Sequence, residues 1–235
     1  MAPVPRRVVT SRRGGASRPP YDSFNLAAGT GDDPVAVAAN RRRLATAIGV
    51  PPSSVSWMSQ VHGDRIEVVD RPRRAVIPDT DALVTGTRGI ALVVLVADCV
   101  PVLLADAAAG VVAVAHAGRV GASAGSGERV VEAMVDRGAS VGGIDVLLGP
   151  AICGGCYEVP AEMAADVDAR LPCSRCRTAD GTPGLDIRAG LARQLTDRGV
   201  RQVTADPRCT AEDPDLFSYR RDGLTGRQAG VAWLS

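Results

Sequence analysis

The stretch IALVVLVADCVPVLLADAAAGVVAVAHAG, residues 90–118, decides the fold. Within it Ile90 to Ala97, Val102 to Leu104 and Val111 to Ala115 are near-continuous runs of Val, Leu and Ala, the last entered through a turn from Asp106 to Gly110. Such runs are too short for membrane helices and read as strands covered on both faces. Ala82 to Thr85 is a further strand just upstream. Before it, Val55 to Met58 and Arg65 to Val69 read as short strands joined through the turn-forming Ser59-Gln60-Val61-His62-Gly63-Asp64. Asp33 and Pro34 make an N-cap and N1 pair, Leu44, Ala45 and Ile48 an apolar helical face, and Gly49 the stop. Residues 11–32 form an ordered loop anchored by Tyr21 and Phe24, and residues 1–10 are expected to fray.

Downstream, helices are expected at Glu128 to Arg137, Pro160 to Leu171 and Ile187 to Arg198, with strands at Ile144 to Leu148, Val200 to Thr204 and Gln228 to Leu234. Pro172 to Gly184 is the one polar, turn-rich break. With no internal repeat and no flexible linker, residues 1–235 read as one domain mixing α and β structure.

Composition removes whole classes of function. The chain has 235 residues, 46% hydrophobic and 23% charged, with a formal net charge of +1. Its arginines are scattered among carboxylates, so no basic stripe awaits nucleic acid. It contains no lysine, which excludes Schiff-base chemistry and a P-loop lysine. Arg6 and Arg7 lack an apolar segment behind them, so a cytoplasmic location is expected.

Only two histidines are present, and any imidazole chemistry must use them. His62, Cys99 (in Ala97-Asp98-Cys99-Val100-Pro101) and His116 (in Ala115-His116-Ala117-Gly118) all fall at expected strand ends, where a rigid sheet can aim side chains into a cleft. Two imidazoles and a thiolate are a three-ligand zinc set with an open fourth position, if they converge. A metal-free alternative uses Cys99 as nucleophile and His116 as base, in an amide hydrolase that would edit cell-wall precursors. A third alternative is a zinc-binding partner protein without catalysis. Asp98 is a candidate proton carrier beside Cys99, or else a hydrogen-bonding residue that orients a ligand.

The remaining cysteines carry their own pattern. Cys153-x-x-Cys156 and Cys173-x-x-Cys176 stand sixteen residues apart, the spacing of a structural Cys₄ zinc site, against which free thiols or a disulfide must be weighed. Cys209 reads as a small buried residue.

Several segments, in order, resemble the YfiH family, once called laccase-domain or polyphenol oxidase proteins. They are Ser59-Gln60-Val61-His62-Gly63, Ala97 to Asp106, His116-Ala117-Gly118, Gly149-Pro150-Ala151-Ile152, Cys209-Thr210, Phe217-Ser218-Tyr219-Arg220-Arg221 and Thr225-Gly226-Arg227. The resemblance implies an α+β fold, a single domain of mixed stacked β-sheets flanked by helices. It also implies a zinc site on His62, Cys99 and His116. Similar proteins are described as purine nucleoside phosphorylases acting on adenosine, inosine and methylthioadenosine, with adenosine deaminase activity. Purine nucleoside and phosphate are then the expected partners, zinc the cofactor and copper the less fitting metal, since a laccase needs several copper centres and this chain has two histidines. Phosphate calls for arginine here, and the candidates in matching segments are Asn40, Arg41, Gln60, Arg220 and Arg221. One departure stands out: where the family continues His-Ala-Gly with Trp-Arg-Gly, this chain has Arg119-Val120-Gly121.

Overall fold

The structure is a computed structural model that describes residues 3–73 and 75–235. In chain order it runs β1 (Pro5–Val9), α1 (Pro34–Ala47), β2 (Val55–Ser56), β3 (Ile66–Val68), β4 (Ala82–Thr85), β5 (Ala91–Val96), β6 (Val100–Asp106) and β7 (Val111–Ala117). It continues with α2 (Arg119–Ser123), α3 (Ser126–Val135), β8 (Asp145–Leu148), α4 (Ala161–Arg170), β9 (Arg175–Arg177), β10 (Pro183–Leu185), α5 (Ile187–Asp197), β11 (Gln202–Ala205), α6 (Tyr219–Asp222) and β12 (Gln228–Leu234). Among the described residues no helix is long and apolar enough to cross a membrane.

Two sheets carry the architecture. One has the order β1-β12-β5-β2, the other β11-β8-β6-β7-β4-β3, and β9 with β10 makes a separate hairpin. The alternation along β5 explains why they stack. Leu92, Val94 and Val96 point into a core shared with Leu83, Leu103, Val112 and Val114 of the six-stranded sheet. Ala91 and Val93 point the other way, onto Leu44 and Ala45 of α1 and onto Phe24 and Leu26. In the larger sheet Val102, Leu104, Ala113 and Ala115 face outward and are covered by Val130, Val131 and Met134 of α3 and Leu191 and Leu195 of α5. The result is a helix, sheet, sheet, helix sandwich in which both faces of each central strand are apolar, as period-two side-chain alternation requires.

The central expectations hold, β4 and β12 to the residue, and α1 begins after the Asp33 cap, whose carboxylate accepts from the Val35 amide at 2.9 Å. Four differ. The fraying expected over residues 1–10 does not hold for residues 5–9, because Pro5–Val9 pairs antiparallel with Leu234–Gly230. Arg7 pins this edge strand across the sandwich by an ion pair to Asp145 at 2.8 Å. Met1 and Ala2 lie outside the described residues. The Pro172 to Gly184 segment is turn-rich as expected, but its turns also frame the unforeseen β9–β10 hairpin. The short helices α2 and α6 were not expected from periodicity, being too brief to show it.

Candidate active site

His116 lies inside β7, not beyond its end, in register with Pro101 of β6. Alternation places it in phase with Val112 and Val114, toward the space between the sheets, at the rim where β6 and β7 end. Cys99 precedes β6 at the same rim. His62 arrives from the loop between β2 and β3 with a left-handed backbone, φ 59°. The three residues therefore come from separate segments yet converge: their ligating atoms all lie within 4.8 Å of one another, and the two imidazole centroids are 4.6 Å apart.

One buried carboxylate organises this convergence. Asp81 accepts the backbone amides of Val61 (3.1 Å), His62 (3.0 Å) and Gly63 (2.8 Å), and an oxygen of the same carboxylate meets His116 Nδ1 at 2.8 Å. Three backbone donors shape the His62 loop. The fourth contact orients the His116 ring with Nδ1 on Asp81 and Nε2 toward the site. Burial raises the Asp81 carboxyl, but the His116 ring and the loop amides outweigh it and hold the group below its ordinary value.

Cys99 and His116 perturb one another. Burial alone would raise the thiol, yet hydrogen bonding and charge from His116 and His62 bring it down to about 6. Burial would lower His116, but Asp81 and Cys99 raise it to about 9. At neutral pH the sulfur is a thiolate, the form that binds a metal and the form that attacks as a nucleophile. Gly118 closes the site from beneath. A Cβ there would stand 3.0 Å from both Cys99 Sγ and His62 Nδ1, so any side chain would press these two donors aside by a few tenths of an ångström. Two imidazoles and a thiolate with a carboxylate behind one imidazole are a donor set and outer support that could hold a divalent metal ion.

Asp98 has φ 89°. One carboxylate oxygen accepts the hydroxyls of Thr210 (2.6 Å) and Ser218 (2.7 Å), the other the Arg220 amide (2.6 Å). Protein donors engage both oxygens, which favours the orienting role over the proton-carrying one.

The cluster opens into a cavity of about 790 Å³, within the range of small-molecule sites, walled by Met58, Leu95, Ile152 and Tyr157 among others. Arg41, Arg119, Arg220 and Arg227 line it as well. The Arg41 guanidinium stacks on Trp57 at 4.0 Å while its Nε donates to the Leu26 carbonyl at 2.9 Å. Arg220 lies over the Tyr157 ring at 5.1 Å. Gln60 lines the cavity too, but its side-chain amide pairs both ways with the Leu95 backbone at 2.8 Å, like an added strand residue. Arg119 reaches the lining although it stands one place early for the family pattern; Val120 is exposed.

Two candidates are corrected. Asn40 is buried beneath α1: its Nδ2 donates to Ser17 Oγ and to the carbonyls of Ser23 and Asn25, and its Oδ1 accepts from the Ala16 amide. Arg221 spends its guanidinium on the carbonyls of Thr210, Asp213 and Leu216 and on Asp222. Neither lines the cavity, since their donors already hold loops together. The Cys₄ expectation is also overturned. Cys153 and Cys156 converge with Cys209 and Glu212, while Cys173 is exposed and Cys176 packs against the Gly154 carbonyl, its Sγ 3.5 Å away. Sequence reasoning missed Asp81 and Arg227. The first sits in Asp79-Thr80-Asp81, where a carboxylate reads as a turn residue, although its position directly before the buried strand β4 was a usable signal.

A stacked-sheet α+β domain with a His, Cys, His cluster at the sheet rim defines the class. The chain belongs to the family described as multi-copper polyphenol oxidoreductase laccase, which it matches over residues 6–235. It is similar to a Mycobacterium tuberculosis protein named purine nucleoside phosphorylase, 59% identical over 229 residues that cover 97% of this chain and 92% of the relative. Two solved structures share the fold. YlmD from Geobacillus stearothermophilus is 32% identical with TM-score 0.91, covering 97% of this chain and 91% of that one. YfiH from Bacillus licheniformis is 28% identical with TM-score 0.92, covering 98% and 93%. The resemblance and fold class read from the sequence are thus shown.

Proposed function

We propose that this chain is a purine nucleoside phosphorylase that also deaminates adenosine, working at one zinc centre held by His62, Cys99 and His116. The observation that carries the reading is the convergence of these three donors on the floor of a cavity that also holds guanidinium groups. The names of the relatives support the phosphorylase part. A multi-copper reading has no support in the donor set, since two imidazoles cannot supply several copper centres.

A zinc ion held by His62, Cys99 and His116 would supply Lewis acidity there. The chain's own residues do the rest. Asp81 holds His116 in one orientation and the His62 loop in one shape, so the donors are in place before substrate arrives. Met58, Leu95, Ile152 and Tyr157 give the purine an apolar slot and exclude water. Arg220, Arg41 and Arg227 place phosphate so that one of its oxygens attacks ribose C1′ as the purine departs, giving free base and ribose 1-phosphate. In deamination a water oxygen replaces the amino group at purine C6 and ammonia leaves. Asp98 acts as a positioning residue, tying the Cys99 turn to Thr210, Ser218 and Arg220.

A second reading has one observation in its favour. Asp81, His116 and Cys99 are linked as orienter, base and thiolate, the arrangement of a cysteine hydrolase. Adenosine incubated with and without phosphate separates the two. Zinc-loaded protein is expected to give adenine only with phosphate and inosine in either case, and chelated protein neither. Full activity after chelation, abolished by thiol alkylation, would instead establish the hydrolase-type centre.

A further inference from the structure

A second group of soft donors lies away from the cavity floor. Cys153-Gly154-Gly155-Cys156 forms a tight turn in which the amides of Cys156 and Tyr157 both donate to the Cys153 carbonyl, at 3.1 and 3.0 Å. Gly154 is required there, because a Cβ would stand 2.7 Å from Cys176 Sγ. A matching turn follows β11, where the amides of Glu212 and Asp213 donate to the Cys209 carbonyl at 3.2 and 2.8 Å. A bridge between Ala151 and Cys209 and the Thr210 amide on the Ala151 carbonyl hold the two turns side by side.

The side chains of both turns face one point. The ligating atoms of Cys153, Cys156, Cys209 and Glu212 lie within 4.8 Å of one another. The Cys153 amide donates to Cys209 Sγ at 3.3 Å, the kind of N–H···S contact that stabilises a thiolate, and Cys156 Sγ donates to Glu212 Oε1 at 3.4 Å. We infer that Cys153, Cys156, Cys209 and Glu212 form a structural zinc site that clamps the turn after β8 to the turn after β11. Three thiolates and a carboxylate are a closed tetrahedral set, with no position left for substrate. Burial and then their neighbours push the Cys153 and Cys156 thiols above the ordinary range. Crowded sulfur anions repel one another, and a divalent cation removes that repulsion as the thiol protons leave.

The clamp has a consequence for the cavity. Cys209 adjoins Thr210, whose hydroxyl holds Asp98 beside Cys99, and Cys153 adjoins Ile152 of the cavity wall. Zinc there would stiffen the wall without entering the chemistry.

The inference does not depend on the His62, Cys99 and His116 centre holding metal, and its test keeps the two apart. Wild-type protein, Cys156→Ser, Glu212→Gln, His62→Ala and the His62→Ala, Cys156→Ser double variant are purified under reducing conditions, loaded with Zn²⁺ and freed of excess ion. Cys156 is half-buried on a surface turn, so its replacement leaves the core untouched. Each variant with Cys156→Ser is expected to hold one zinc fewer than its parent, and Glu212→Gln to bind the ion more weakly. With Co²⁺ in place of Zn²⁺, the His62→Ala protein is expected to show a thiolate-to-cobalt charge-transfer band that the double variant lacks. Equal metal content and equal Co²⁺ spectra with and without Cys156→Ser would overturn the site, as would a Cys153–Cys156 disulfide in the reduced preparation.

Discussion

Asp81 and His116 are joined twice: the carboxylate meets Nδ1 at 2.8 Å, and the His116 amide donates to the Asp81 carbonyl at 2.7 Å. This double link ties β7 to the start of β4 and aims Nε2 at Cys99. Because outer supports of this kind typically change metal affinity by about 10–100-fold, Asp81→Asn is expected to weaken zinc binding by that order. Under the proposed function it should lower both phosphorolysis and deamination, because that reading puts both at this centre. Competition for zinc against a chelator measures the first and product formation the second. Unchanged affinity would remove Asp81 from the site.

Gly118 offers a cleaner perturbation, because its backbone, φ −78° and ψ 173°, is open to alanine. Gly118→Ala adds only the Cβ that would crowd Cys99 Sγ and His62 Nδ1 at 3.0 Å. Zinc affinity is expected to fall by about tenfold or more, about 1.4 kcal/mol, while the metal-free protein melts near the parent temperature. A variant that keeps full metal affinity shows that the three donors do not share one ion.

Phosphate should depend on arginine where deamination does not. Arg220 lies over Tyr157 and gives one N–H to the Glu158 carbonyl at 3.1 Å, leaving further donors for an anion. Charge-assisted hydrogen bonds contribute about 1.5–3 kcal/mol, so Arg220→Ala is expected to raise the KM for phosphate about 10–150-fold. Inosine formation without phosphate should stay within a few-fold of the parent. If both reactions fall together, Arg220 serves the nucleoside or the fold instead.

The strands were legible because their apolar faces are doubled. A run such as Val93-Val94-Leu95-Val96 leaves no polar face, and a sheet buried on both sides is the structure that needs none. The edge strand β1 was hidden for the opposite reason: Pro5, Arg6 and Arg7 read as a polar tail, yet a proline is tolerated at the start of an edge strand and Arg7 has Asp145 to bind. In the site, residue scarcity made the donors visible, since two histidines left few choices. Roles that rest on what a polar group already holds could not be read this way. Asn40 and Arg221 look like ligand binders until their hydrogen bonds are seen, and Asp81 looks like a turn residue until His116 stands beside it.

The acid limit of stability should depend on another buried carboxylate. Asp106 ends β6 and accepts the amides of Ala108 (2.9 Å), Ala109 (3.0 Å) and Ser140 (2.9 Å), joining the β6–β7 turn to the segment that follows α3. Burial would raise its carboxyl, but these three donors prevail and hold it below the ordinary value. A folded pKa lower than the unfolded one means the unfolded chain binds the proton more readily. The stabilisation is therefore complete above the unfolded value, near 3.9, and is lost as pH falls from there through the folded value. In Asp106→Asn the charge is gone at every pH, and its amide must meet the Ser140 amide or the turn with a donor. The variant is expected to unfold about 1–3 kcal/mol more easily at neutral pH. It should also lose less stability than the parent on acidification below about pH 4. Denaturant melts at pH 7 and at several lower pH values measure both slopes, and parallel acid limbs in the two proteins would show that Asp106 carries no linked proton.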